Sequence, residues 1–299
     1  MNKTIGFLIT LMILLCICLA GCGLIEASNE RPQTPHTRYV ESHDGVQVGV
    51  PENPKRILAL SSAFDTILLG LIEPERLVGI NKLSTYEEYS LEAKRAKLVK
   101  PVMSSYPLEK IIALKPDLVI APDYISADVI SGLRHMGIAT VVVSSGSTVE
   151  GVIKNVTDVA HIIGEDEKGS FYKQKIRREL DELQRLGESI PPEQRKTVLF
   201  VSSMDGYTGT GSLFDDMCKY LKVNNAAAQV GLGPFDNGMR EDLIKSNPDI
   251  IFIPSVAYTS DGTTPATVEQ LYSDPALQGV KAISNRRVFL ADSSQVMSY

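Results

Sequence analysis

A carboxylate occupies the same place in each of two similar segments of the chain, Glu109 in residues 107–120 and Glu241 in residues 239–252. Each segment predicts a short helix, a turn and a buried strand. Both glutamates fall near the third residue of their helix, with Pro107 at the first position of the first helix. A carboxylate there stabilises the helix dipole by about 0.3–1 kcal/mol and stays exposed to a partner.

A Pro-Asp pair follows each of these helices, Pro116-Asp117 in the first segment and Pro248-Asp249 in the second. Proline biases the residue before it away from the helical region, so each helix ends here. The apolar run after each aspartate is too short for a helix and suits a parallel strand buried on both faces. Turn chemistry therefore explains the two aspartates better than catalysis.

The repeat predicts two similar α/β lobes with mainly parallel sheets. Strands alternate with helices in both halves, as in sheets covered by helices. Between the halves, apolar residues recur at helical spacing within a charged stretch from about Asp166 to Leu186, which predicts a helix roughly 30 Å long. Its place between the repeats favours a strut joining the lobes; the alternative is an ordinary surface helix.

Enzymatic motifs are missing from the sequence. There is no GxSxG, P-loop, GxGxxG or HExxH pattern, and Gly209-Thr210-Gly211 lacks the third glycine of a dinucleotide site. Cys218 falls in a predicted helix without an evident histidine base. His135 and His161, the histidines of the lobes, both fall in helices, so a bare-metal site is not expected. We expect a protein that is not an enzyme and needs no cofactor.

Charge also narrows the choice of partner. The formal net charge is −6 and no strongly basic stretch occurs, which argues against nucleic acid as the main partner.

Residues 22–54 are polar and contain four prolines, among them Pro32 and Pro51, which predicts a flexible tether.

The N-terminus predicts export. Lys3 precedes an almost wholly apolar run that ends in Leu19-Ala20-Gly21-Cys22. This ending resembles a bacterial lipobox, which implies a signal peptide of residues 1–21, cleavage before Cys22 and acylation of its thiol. The alternative is an uncleaved anchor, which also leaves the body of the protein outside the cytoplasm.

Five segments, read together, resemble the substrate-binding lipoproteins of ABC importers for iron complexes, siderophores and vitamin B12. The segments are residues 54–60, 77–80, 108–120, 247–251 and 280–288. The resemblance implies two α/β lobes joined by one long helix, with the ligand in the cleft between them. On this basis we divide the chain into an N-terminal lobe at 55–164, a connecting helix at 165–192 and a C-terminal lobe at 193–299. Such proteins have a further C-terminal helix, so either this sequence is truncated at Tyr299 or its second lobe is short by one element.

The ligand should lie at the carboxyl ends of the strands, where open α/β sheets bind small molecules. The loops there are rich in Met and Tyr and poor in charge, although any single Met is more often core filling than a ligand contact. The predicted ligand-binding residues are Ser61, Ser62, Lys82, Met103, Tyr106, Tyr124, Met204, Tyr207, Asn237, Met239, Arg240 and Tyr258.

The resemblance also implies partners. Glutamates at the positions of Glu109 and Glu241 dock on arginines of the permease in this family. We expect a monomer, lipid-anchored to the outer face of the cell membrane through Cys22, that binds a small-molecule iron chelate such as a ferric siderophore. Haem or cobalamin binding on the same fold, and a sensor lipoprotein without a transport role, remain alternatives.

Overall fold

A parallel sheet forms the centre of the first half of the chain. The computed structural model describes residues 37–201, 206–234, 236–255 and 268–296. In it, strands β3 (Ile57–Ala59), β6 (Leu118–Pro122) and β7 (Ala139–Val143) lie side by side in that order, all parallel. The signal peptide, Cys22, Met204 and Tyr258 lie outside the described residues.

Both faces of this sheet are covered. Every residue of β6 is buried. Ile57 and Leu118 belong to one apolar cluster, whereas Leu58 and Val119 belong to another, because successive side chains of a strand point to opposite faces. The unbroken apolar runs of the sequence follow from this two-sided burial.

Two short strands extend the sheet region. Strands β4 (Ile80–Asn81) and β5 (Val102–Met103) pair in parallel, and Val78 N donates to Ile57 O at 3.0 Å, which joins them to β3. The helices of this half are α1 (Ser62–Leu71), α2 (Ala93–Ala96), α3 (Leu108–Ala113), α4 (Ala127–His135) and α5 (Val149–Ile163). Helix α5 begins at Thr148, whose hydroxyl accepts from Gly151 N, and ends at Gly164 in the left-handed region.

The N-terminal part of this half is a β-hairpin, which the sequence analysis did not predict. Strands β1 (Thr37–Glu41) and β2 (Gln47–Pro51) pair antiparallel, and Val40, Val48 and Val50 are buried in the core of the first lobe. The prediction of a flexible tether over residues 22–54 is therefore wrong for residues 37–51. Burial of one face of the hairpin compensates for the entropy of ordering these residues.

The long helix predicted between the lobes is α6 (Asp166–Glu188). Its two buried residues are Gly169, which packs on Ala160 of α5, and Gly187, which packs on Leu221 in the second half. The helix therefore contacts both halves of the chain, one near each end. Within the described residues, no helix combines the length and apolar character needed to cross a membrane.

The second half contains a four-stranded parallel sheet of order β11-β10-β8-β9. Its strands are β8 (Thr197–Phe200), β9 (Asn224–Asn225), β10 (Ile250–Pro254) and β11 (Val288–Ala291). Its helices are α7 (Leu213–Leu221), α8 (Ala226–Gln229), α9 (Arg240–Ser246), α10 (Val268–Ser273), α11 (Lys281–Ser284) and α12 (Ser293–Val296). The predicted fold class, two α/β lobes with mainly parallel sheets joined by one long helix, is confirmed.

Candidate functional site

The carboxyl edge of the first sheet presents hydroxyl groups. Ser61 follows β3 and caps α1, and its hydroxyl accepts from Phe64 N at 3.2 Å. Ser62 is half-buried at the first position of the helix. Tyr124 follows β6, is 68% exposed, and hydrogen-bonds to Ser61. Partial burial raises the pKa of Tyr124 above its usual value and outweighs the lowering by the contact with Ser61, so the phenol stays protonated at neutral pH.

A buried carboxyl group lies behind this edge. Asp65 in α1 has no solvent exposure, and its Oδ2 accepts from Asn81 N at 2.8 Å and from Ser84 Oγ at 2.9 Å. Its Oδ1 has no hydrogen-bond partner among the described residues. Loss of hydration raises the pKa of Asp65 to about 8.

This carboxyl group organises the loop after β4. Asn81 Nδ2 donates to the hydroxyl of Tyr106 at 3.0 Å, and Asn81 Oδ1 accepts from Leu83 N. Burial, with Asp65 nearby, also raises the pKa of Tyr106. The sequence analysis did not single out Asp65. The available signal is its spacing of three and four residues to Leu68 and Leu69, which places a carboxylate on the apolar face of the helix, where one is rarely found.

Two predicted ligand-binding residues of the first lobe, Met103 and Lys82, do not lie with Ser61 and Tyr124. Met103 is 6% exposed and packs in the core, so it fills the lobe rather than lining a cleft wall. Core filling is the more common role of a single Met, because a flexible thioether side chain fills gaps in the core well. Lys82 is exposed, and its ammonium lies 5.9 Å from the centre of the Tyr86 ring.

Four predicted residues of the second lobe are described, namely Tyr207, Asn237, Met239 and Arg240, the last of which is the first residue of α9. Tyr207 is half-buried against the core, and burial raises its pKa. Asn237 and Met239 are exposed. The guanidinium of Arg240 is exposed and forms an ion pair with Asp274 at 2.9 Å.

A shallow, open cavity of about 480 Å³ lies between residues of the two lobes. Its lining residues are Glu87, Glu88, Ser255, Leu290 and Asp292. The two glutamates come from the loop fixed by Asp65, whereas the other three lie at or just after the carboxyl ends of β10 and β11. None of the five is among the predicted ligand-binding residues. The loops that face each other are determined by how the two lobes pack, and the local sequence pattern does not reveal that packing.

The two repeated glutamates occupy the same position in their helices. Glu109 is the second residue of α3 and Glu241 the second residue of α9, and both are exposed. The prediction of the third position is therefore wrong by one residue, since Pro107 is the N-cap and not the first helical residue. Neither carboxylate has an ion pair with another described residue.

The repeated aspartates have a structural role. Asp117 accepts from Lys55 N at 2.7 Å and Arg56 N at 3.0 Å, at the entry to β3. Asp249 accepts from Thr197 N at 2.9 Å, at the entry to β8. Each carboxylate thus fixes the start of the neighbouring strand, which explains why the pair recurs without a catalytic role.

Reactive groups outside these loops are few in the described residues. Burial raises the pKa of the Cys218 thiol to about 12, so it is not a thiolate nucleophile at neutral pH. No three His, Cys, Asp or Glu side chains of the described ranges are grouped so that they could hold a metal ion.

Comparison with known proteins agrees with this geometry. The sequence model of the periplasmic binding protein family matches residues 57–295. YvrC of Bacillus subtilis (strain 168), an uncharacterized ABC transporter substrate-binding lipoprotein, is 26% identical over 307 residues, covering 99% of this chain and 92% of YvrC. The Fe(3+)-citrate-binding protein YfmC of the same organism is 26% identical over 304 residues, covering 97% and 90%.

A similar solved structure is the periplasmic heme-binding protein RhuT from Roseiflexus sp. RS-1 in its apo form. It superimposes with a TM-score of 0.67 at 21% identity, covering 82% of this chain and 95% of RhuT. Two parallel sheets joined by a long helix, with a cavity between them, define the class as a two-lobed solute-binding protein. The chain belongs to the periplasmic binding protein family, and its relatives YvrC and YfmC are solute-binding proteins rather than enzymes.

Proposed function

We propose that this protein is a lipid-anchored solute-binding component of an ABC importer that captures a ferric siderophore or a similar iron complex and delivers it to the permease. The observation that carries the proposal is the cavity of about 480 Å³, to which loops at the carboxyl ends of strands in both lobes contribute. Open α/β sheets bind ligands at that edge, and YfmC is named for ferric citrate. Ferric chelates supply their own iron ligands and need only walls and a few donors.

Haem or cobalamin is the second candidate for the ligand. RhuT is named for haem, and the cobalamin-binding protein of Halobacterium salinarum (strain R1) is 21% identical over 224 residues, covering 74% of this chain and 59% of that protein. The exposed hydroxyl of Tyr124 can donate to the oxygens of any of these ligands.

A thermal-shift panel tests the ligand class. The full-length protein in detergent is heated with ferric citrate, ferric siderophores, haem and cobalamin, each with its iron-free or metal-free form as control. A ligand at 100 times its dissociation constant adds about 2.7 kcal/mol to the folded state, a shift of several degrees for this size. A shift with a ferric complex alone supports the proposal, whereas no shift with any ligand contradicts it and favours a sensor lipoprotein.

Glu109 and Glu241 are the proposed permease contacts. Both are exposed at the second position of corresponding helices, one in each lobe, so they can meet arginines on two permease subunits. Charge reversal of both (E109K with E241K) should abolish uptake and leave ligand affinity unchanged. The matched control reverses Glu182 and Glu193, which are exposed elsewhere. Unimpaired uptake in the first variant, or weaker ligand binding, contradicts the assignment.

Cys22 is the proposed lipid attachment site. Metabolic labelling with palmitate should mark the protein and place it in the membrane fraction. Cys22→Ser should lose the label. A labelled Cys22→Ser variant would contradict the assignment.

A further inference from the structure

The turn of the β1–β2 hairpin lies at the carboxyl edge of the first sheet. His43 N donates to Val142 O at 2.9 Å, and Val142 N donates to the hydroxyl of Ser42 at 2.8 Å. Val142 is the second-last residue of β7, so the turn is beside the end of that strand. Ser61 and Tyr124 follow β3 and β6 at the same edge.

The turn is held rigidly. Arg134 of α4 donates to Asp44 at 2.6 Å, to the hydroxyl of Ser42 at 3.1 Å and to Thr140 O at 3.0 Å. The hydrogen bond from Arg134 lowers the pKa of Asp44 to about 2, so this pair is charged at any physiological pH. Three such contacts are more than a turn at the end of a flexible tether requires. Because they order the turn before a ligand binds, the entropy cost of a contact between the turn and a ligand is lower.

His43 extends the row of polar side chains along this edge. Its side chain is 54% exposed, and its Nε2 is 3.8 Å from Asp123 Oδ2. Asp123 is followed by Tyr124, which hydrogen-bonds to Ser61. Imidazole, carboxylate, phenol and hydroxyl groups from three separate segments are thus placed next to one another.

We infer that the hairpin turn is a wall of the ligand site and that His43 contacts the ligand there. The inference rests on the proposed function and narrows it to a ligand with acidic oxygens, such as a carboxylate, hydroxamate or catecholate group. His43 and Tyr124 donate to these oxygens, and Asp123 lies beside the imidazole, 3.8 Å from its Nε2.

Affinity measurements on the full-length protein in detergent test the inference. Ferric citrate, a ferric hydroxamate, a ferric catecholate and cobalamin are titrated against the wild type, His43→Ala and His161→Ala. His161 is the matched control, since it is an exposed histidine paired with a carboxylate, Asp166, at 2.8 Å, where α5 meets α6. His43→Ala should weaken binding of an acidic chelate about tenfold, the value of one hydrogen bond to a charged group. His161→Ala should bind as the wild type does.

A second readout does not depend on loss of affinity. A cysteine introduced at position 43 and labelled with an environment-sensitive dye should change its emission when the chelate binds, and the same label at position 161 should not. Among the native cysteines, Cys218 is buried and will not compete for the dye, and Cys16, Cys18 and Cys22 are replaced by serine in both labelled variants. Binding that is equal in wild type and His43→Ala, with no change in emission, overturns the inference but leaves the proposed function intact. Wild-type protein that binds none of the ligands overturns both.

Discussion

Asp65 has a carboxyl group that solvent does not reach. Its folded pKa of about 8 exceeds the usual 3.8, so the folded state keeps a proton that the unfolded chain releases. Stability should therefore fall as pH rises from about 4 to about 8 and then level off. The full shift corresponds to roughly 6 kcal/mol at 1.36 kcal/mol per pH unit, which is an upper bound.

Asp65→Asn tests this dependence. The amide cannot ionise, and its oxygen can still accept from Asn81 N and Ser84 Oγ. We expect the variant to equal the wild type below about pH 4 and to be more stable by a few kcal/mol near pH 8. Denaturant unfolding across this range measures the difference, and parallel pH profiles of the two proteins would contradict it.

Asp44 should respond to pH with the opposite sign. Its pKa is lowered to about 2 by the hydrogen bond from Arg134, so its contribution is present above about pH 4 and is lost as pH falls toward 2. Asp44→Asn should lower the midpoint of thermal unfolding at pH 7 and have little effect near pH 2. An equal effect at both pH values would show that the ion pair does not stabilise the turn.

At the scale of elements, the repeated segments were predictable and the hairpin was not. Strands such as β6 and β10 are short apolar runs after a Pro-Asp pair, a pattern fixed by local chemistry. The hairpin was overlooked because prolines flank it, although Asp44-Gly45 between alternating valines is a recognised turn signal. The cavity residues Glu87, Glu88 and Asp292 could not be predicted, because their proximity depends on the packing of two lobes around α6.

Gly187 fixes one end of the connecting helix. A Cβ at this position would overlap the backbone carbonyl of Leu221. Gly187→Ala should therefore push α6 away from α7 and cost about 1–3 kcal/mol, despite the better helix propensity of alanine. Gly70→Ala is the control, since Gly70 lies in α1 with open space around it and should gain up to about 1 kcal/mol. Thermal unfolding measures both, and equal effects would contradict the packing argument.

At the scale of the whole molecule, a polar junction restrains the two lobes behind the cleft. Val149 N, at the start of α5, donates to Asp216 of α7 at 2.9 Å. Glu150 accepts two hydrogen bonds from Arg177 of α6 and one from the hydroxyl of Tyr220 at 2.8 Å. Three helices, one from each lobe and the connecting helix, therefore meet in one network. Exposed ion pairs are individually worth less than about 1 kcal/mol, so the junction limits motion more than it adds stability.

Removing the junction should widen the range of lobe separations. A stiff connecting helix and this network together predict only a small closure when the wild type binds its ligand. In a Glu150→Gln, Tyr220→Phe double variant, the distribution of distances between dyes on the two lobes should broaden, because Arg177 of α6 loses the carboxylate that it pairs with and α7 loses its hydrogen bond to α5. Asp158→Asn is the control, as it removes an ion pair to Lys154 within α5 alone. Single-molecule energy transfer in the ligand-free protein measures the distribution. Equal widths for the double variant and the wild type would show that α6 alone sets the relative position of the lobes.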